Sequence, residues 1–139
     1  MTNLDLTGRR ALVTGGAQGL GEGMAQGLAA AGAQVVIGDL QDDLGAKVAG
    51  ALGDGHGFVH LDVSDDASWE AAVADAVGQL GGLDILVNNA GIEITSLLVD
   101  IDAAQARKML EVNLLGTTLG ISTRSGRCAR AARPATAAA

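Results

Sequence analysis

The residues of this chain best suited to chemistry lie in Thr14–Gly21, TGGAQGLG, between a short apolar run and a segment patterned as a helix. Gly15, Gly19 and Gly21 permit backbone angles and close approaches that a β-carbon would block, so successive amide N–H groups can turn toward a bound anion. A helix beginning at this turn adds partial positive charge. The chemistry predicted is a cradle for the phosphates of a nucleotide. Three more stretches carry polar groups at the ends of apolar runs: Asp39 after QVVI, Asp62-Val63 after another run, and NNAG at Asn88–Gly91 after DILV. Asn113 interrupts a helical stripe, where a buried amide requires hydrogen-bond partners or water.

Hydrophobic periodicity supplies the elements that must position these groups. Arg10–Val13 suits a buried strand, and Leu20, Met24, Leu28 and Ala31 fall on one face of a helix from about Gly19 to Ala31, with Gly32 as its stop. Gln34–Ile37 reads as a second strand. Asp42–Leu52 reads as a second helix with Leu44, Val48, Ala51 and Leu52 inward, and Phe58–Val63 as a third strand. Ser64 is the expected N-cap of a third helix, Asp65–Leu80, which carries Trp69, Val73, Ala76, Val77 and Leu80. Asp84–Val87 is the fourth strand. Asp102 then caps a fourth helix from about Ala103 to Leu119, with Ala106, Leu110, Asn113, Leu114 and Thr117 along one stripe. Strands alternating with helices predict right-handed crossovers, a parallel sheet and an α/β, Rossmann-type three-layer sandwich with strand order 3-2-1-4. The nucleotide is expected at the switch point between strands 1 and 4. Asp39 follows Gly21 by 18 residues, near the spacing of about 20 expected for a ribose-binding acid. A carboxylate there accepts hydrogen bonds from the ribose hydroxyls and repels a 2′-phosphate, which points to NAD over NADP.

A chain of 139 residues supports one domain, and 48% hydrophobic residues mark it as globular. It contains no apolar run of about 18 residues that would span a membrane. No signal-peptide pattern opens it, and Cys128 is its single cysteine, so a cytoplasmic location is expected. Residues 1–120 carry 16 acidic and 5 basic side chains, a net charge of −11, whereas residues 121–139 carry 4 arginines and no acid. An acidic body disfavours nonspecific nucleic-acid binding, and the tail arginines lack interleaved aromatic residues. Neither nucleic acid nor membrane is an expected partner. His56 and His60 have no cysteine and only scattered acids near them, so no metal site is expected.

Taken together, TGxxxGxG at Thr14–Gly21, Asp39, Asp62-Val63, NNAG at Asn88–Gly91 and Asn113 make residues 7–120 resemble the N-terminal half of a short-chain dehydrogenase/reductase. A P-loop fits worse, because Glu22 stands where that motif requires lysine. The resemblance implies that Gly15, Gln18, Gly19, Leu20 and Gly21 line the pyrophosphate and adjoining ribose. It implies Asp39 for the adenosine ribose, Asp62 and Val63 for adenine, and Asn89, Ala90 and Gly91 toward the nicotinamide ribose. Neither Gln18 nor Leu40 is basic, in agreement with NAD as cofactor. Asn88 and Asn89 can also tie strand ends together through side-chain hydrogen bonds.

The same resemblance implies an NAD-dependent oxidoreductase acting on a secondary alcohol or ketone, in which Asn113 assists a proton relay run by Ser, Tyr and Lys. The Tyr exchanges a proton with substrate oxygen as hydride moves. This chain has no tyrosine, its last lysine is Lys108, and Ser122 and Ser125 come too early for the family serine. The reading is therefore of a cofactor-binding half, residues 1–120, or alternatively of a catalytically inactive nucleotide-binding module or a truncated product. Composition breaks after Gly120 into a run rich in Ala and Arg. Residues 121–139 are expected to hold no packed element and to be largely irregular, with a helix in part of the stretch left open, and to derive from an out-of-frame reading or an artefact. An open edge at DILV predicts self-association or a homo-oligomer.

Overall fold

The computed structural model describes residues 4–131. Four strands, β1 (Arg10–Thr14), β2 (Gln34–Asp39), β3 (Gly57–His60) and β4 (Ile85–Val87), form one sheet. Its order is β3-β2-β1-β4 and all pairs are parallel. Helices α1 (Gly19–Ala30), α2 (Asp42–Leu52) and α3 (Asp66–Leu80) make the crossovers. After β4 come a 3-10 turn at Leu98–Asp100, α4 (Ala103–Leu110), a π-helical turn at Glu111–Leu115 and α5 (Gly116–Ala131). This is the expected Rossmann-type α/β fold and strand order.

Parallel strands buried on both faces need apolar side chains at successive positions. Ala11, Val13, Val35 and Ile37 point to one side, where Ala25 of α1 and Val48 and Ala49 of α2 close the core. Leu12, Val36 and Val59 point to the other, against Trp69, Val73, Ala76 and Leu80 of α3 and Val112 of the π turn. Register aligns Thr14 with Gly38 and Asp39 with His60, so the C-terminal ends of β1, β2 and β3 finish at one edge. That edge carries the candidate site. At the opposite edge, Arg10 is held to Asp84 through Nε at 2.8 Å and Nη2 at 3.0 Å, and its Nη1 donates to the Gly81 carbonyl at 2.9 Å. The first turn of β1 is thereby clamped to the entry of β4.

Several local expectations are corrected. Leu20 and Met24 face outward, 79% and 41% exposed, while Gly21 and Ala25 form the inner face of α1. A β-carbon at Gly21 would collide with the Gly15 carbonyl oxygen and lie 2.5 Å from Asn89 Nδ2, so large residues cannot point inward there. Leu44 is half-buried and Ala51 exposed, with Gly45 and Ala49 buried beside Val48 in α2. Asp65 rather than Ser64 caps α3, accepting a hydrogen bond from the Ser68 amide. The fourth helix is split by the π turn, and its Leu110 and Leu114 are exposed while Val112, Gly116 and Gly120 are buried. Glycines set that contact: a β-carbon at Gly116 would lie 2.9 Å from the Val63 carbonyl oxygen, and one at Gly120 would lie 2.6 Å from the Trp69 ring. The stretch expected to be irregular beyond Gly120 is helical through Ala131. Residues 132–139 of the expected tail lie outside the described residues.

Candidate functional site

β1 ends at Thr14, and the chain must then turn sharply into α1. Gly15 makes the turn with φ of 64° and stands so close to the exit of β4 that a β-carbon would lie 2.8 Å from Ala90 Cα. Gly19 has φ of 60° at the first position of α1, a conformation costly for residues with a β-carbon. Gln18, the N-cap, makes no side-chain cap hydrogen bond. The orphan amides of the first helical turn are therefore not spent on a capping side chain, which suits an anion.

The turn is braced from two sides. Asn89 Nδ2 donates to the carbonyls of Thr14 at 3.0 Å and Gly15 at 3.1 Å, while Thr14 Oγ1 accepts from the Asn89 and Ala90 amides, both at 3.0 Å. These bonds lock the end of β1 to the NNAG segment. From β2, the Asp39 carboxylate accepts from the Ala17 amide at 3.1 Å and the Gln41 amide at 3.1 Å. Asp39 is 8% exposed. Its charge is held by two N–H donors, as a buried carboxylate requires.

Every residue singled out for cofactor binding, from Gly15 through Asp39, Leu40, Asp62 and Val63 to Asn89, Ala90 and Gly91, lines one cleft of about 530 Å³. Ile92, which the sequence placed at the border of a substrate pocket, also lines it, as do Gln41, Leu61, Lys108 and Val112, which were missed from the sequence. Leu61 fell only within the expected third strand, and Val112 within the expected fourth helix but off its stripe. Lys108 left no spacing signal, because only the tertiary fold brings its side chain to the β3–α3 connection. At that connection Asp62 Oδ1 accepts from the Ser64 hydroxyl at 2.6 Å and the Ser64 amide at 2.9 Å. The Ser64 hydroxyl holds the Asp62 carboxyl below the ordinary carboxylate range, against the opposing effect of partial burial, and Lys108 adds a smaller lowering.

Asn113 stands apart from the cleft lining, in the π turn. Its Oδ1 accepts from the Ile92 amide at 2.8 Å and its Nδ2 donates to the Ile92 carbonyl at 2.9 Å. The side-chain amide thus mimics a strand neighbour for the chain leaving β4. A π turn inserts one extra residue into the helical repeat and often occurs at functional sites, and here it aims Asn113 at Ile92 while Val112 stays buried. The two histidines are engaged elsewhere: His56 Nδ1 accepts from the Val35 amide at 3.1 Å, and His60 Nδ1 pairs with Asp42 Oδ1 at 2.7 Å. Among the described residues no three His, Cys, Asp or Glu side chains are grouped to hold a metal ion.

The sheet order and the glycine-turn cleft define a Rossmann-type domain with its site at the topological switch between β1 and β4. The short chain dehydrogenase family profile matches residues 9–125, and the chain belongs to that family. Among its relatives, the 3-alpha-(or 20-beta)-hydroxysteroid dehydrogenase of Mycobacterium tuberculosis is 47% identical over 116 residues, covering 84% of this chain and 45% of the relative. The trans-4-hydroxycyclohexanecarboxylate dehydrogenase of Sinomonas cyclohexanicum is 46% identical over 120 residues, 80% of this chain and 46% of that protein. A crystal structure of a putative short-chain alcohol dehydrogenase from Sinorhizobium meliloti superposes with a TM-score of 0.83 at 34% identity, covering 89% of this chain and 50% of that one. The chain therefore spans about half the length of these relatives.

Proposed function

We propose that this chain binds NAD and forms the cofactor-binding half of an oxidoreductase that acts on a secondary alcohol or ketone. The observation that carries the reading is the convergence of the glycine turn, Asp39, Asp62-Val63 and NNAG on one cleft. The residues fit the cofactor on a specific structural test: Gly15 and Gly21 let the turn close against Ala90 and Asn89, where β-carbons would strike, while a β-carbon at Gly19 would meet nothing within 4 Å, so open space suited to the pyrophosphate lies before the first turn of α1. Asp39 would take the adenosine ribose hydroxyls, and its negative charge beside Leu40 would oppose a 2′-phosphate. Asp62 and Val63 would take adenine, and Asn89, Ala90 and Gly91 would border the nicotinamide ribose. Bound there, NAD supplies the hydride-accepting ring. Relatives named as hydroxysteroid and hydroxycyclohexanecarboxylate dehydrogenases support a cyclic secondary alcohol as the substrate class.

Asn113 would act as an auxiliary to proton transfer by keeping the β4 exit in place. Proton exchange of the tyrosine type has no carrier among these residues, because the chain contains no tyrosine and no lysine after Lys108. A second reading is a nucleotide-binding module without hydride transfer of its own. Titration with NADH and NADPH, followed by turnover assays on cyclic secondary alcohols, separates the two. NADH binding at least about tenfold tighter than NADPH supports the cofactor assignment, and equal binding would overturn it. Binding without turnover favours the module, whereas turnover by this chain would require a base other than tyrosine.

A further inference from the structure

We infer that Lys108 is a positioning residue for recognition of the nucleotide base, acting through Ser64 on Asp62 to select a 6-amino purine over a 6-oxo purine. The inference rests on the nucleotide reading of the cleft and names a determinant within it. Lys108 projects from α4 and is the one basic residue among those lining the cleft. Its Nζ donates to Ser64 Oγ at 3.1 Å. With that lone pair engaged by an ammonium N–H, the single Ser64 hydroxyl proton is directed to Asp62 Oδ1, 2.6 Å away. The Ser64 amide donates to the same oxygen at 2.9 Å. Two donors on Oδ1 pin the carboxylate and leave Oδ2 as the remaining acceptor on a residue that lines the cleft.

A charged acceptor held in one orientation recognises an N–H donor and penalises a carbonyl oxygen in the same place. Adenine presents such a donor in its exocyclic amine, and hypoxanthine presents a carbonyl. The relay therefore makes Lys108, through its hydrogen bond to Ser64, a determinant of base choice. Chain order supports a constructed arrangement, since Lys108 and Ser64 are 44 residues apart and the fold brings the α4 side chain to the β3–α3 connection. A lysine serving merely to offset phosphate charge would favour every nucleotide equally.

Calorimetric titration of the whole chain with ADP and with IDP tests the relay. The wild type is expected to bind ADP about tenfold tighter than IDP. Lys108→Met and Ser64→Ala should each reduce that ratio to about threefold or less, mainly by weakening ADP, while Lys108→Arg should retain it. An unchanged ratio in Lys108→Met, with both affinities lowered together, would overturn the inference in favour of simple charge attraction. The carboxyl carbon signal of Asp62, followed by NMR in the nucleotide-free protein, reads the relay independently: its titration midpoint should rise in Lys108→Met and stay low in Lys108→Arg. If the wild type bound neither nucleotide, the reading of the cleft and the base selection would both fall. A titration midpoint unmoved in Lys108→Met would instead reject the relay alone.

Discussion

Asp39 illustrates how one side chain serves two purposes at the residue scale. Its position at the C-terminal end of β2 is the one proposed for ribose recognition, yet its carboxylate also holds the Ala17 amide of the glycine turn and the Gln41 amide that leads into α2. Asp39→Ala would free the turn as well as remove the ribose acceptor. The expected result is a loss of about tenfold or more in affinity for both ADP and 2′,3′-dideoxy-ADP, measured by calorimetry. A role confined to the ribose would spare the dideoxy nucleotide. Gly21 makes a sharper case, because any β-carbon there meets the Gly15 carbonyl and Asn89 Nδ2. Gly21→Ala should cost about 1–3 kcal/mol of stability, the usual range for overpacking, and eliminate NADH binding. Urea unfolding and NADH fluorescence check the two effects separately.

At the scale of elements, the crossing of α5 over α3 and the clamp between β1 and β4 decide whether the site holds together. Gly120 lies against the Trp69 ring and Asn88 Oδ1, and Trp69 Nε1 donates to the Val63 carbonyl at 2.9 Å. Gly120→Leu should push α5 off this surface, lowering the urea midpoint by the equivalent of about 2–3 kcal/mol and dulling the shift in tryptophan fluorescence on unfolding. The Arg10–Asp84 clamp gives a pH signature. Its hydrogen bond to Arg10 holds the Asp84 carboxyl below the ordinary carboxylate range. A carboxyl depressed in the folded state stabilises fully above its unfolded value, about pH 4, and loses that contribution as pH falls through the lower folded value. Asp84→Asn should therefore cost about 1 kcal/mol at pH 7, and its deficit relative to wild type should shrink below about pH 4 in denaturant titrations.

For the whole molecule, the described residues leave β4 paired only with β1. Its three residues are half-buried, in contrast to the buried centre of β1. Leu110, Leu114 and Ile121 add exposed apolar surface along the helices that follow. No described helix is long and apolar enough to cross a membrane. A net charge of −7 opposes association at low salt, and screening weakens that opposition within about 10 Å at 0.1 M ionic strength. Sedimentation velocity should reveal species larger than a monomer that increase with both protein and salt concentration. A monodisperse monomer across that range would reject the expectation, and dissociation by salt would point to ionic rather than apolar contact.

The order of strands and the location of the cleft were legible in the sequence, because apolar runs, glycine turns and acidic strand ends recur at spacings set by βα geometry. The inward faces of α1 and the fourth helical segment were not. Counting large apolar residues placed Leu20, Met24, Leu110 and Leu114 inside, whereas close backbone approach requires Gly21, Gly116 and Gly120 there. The π turn was equally hidden, since Val112 within it packs with Val63 and Trp69, which are distant in the chain. What the sequence alone determined was the fold and most of the residues that surround the cleft, through local propensity and spacing. Only the tertiary structure decided their partners, tying Asp39 to Ala17, Asn113 to Ile92 and Lys108 to Ser64, because those hydrogen bonds form between elements whose approach no local pattern encodes.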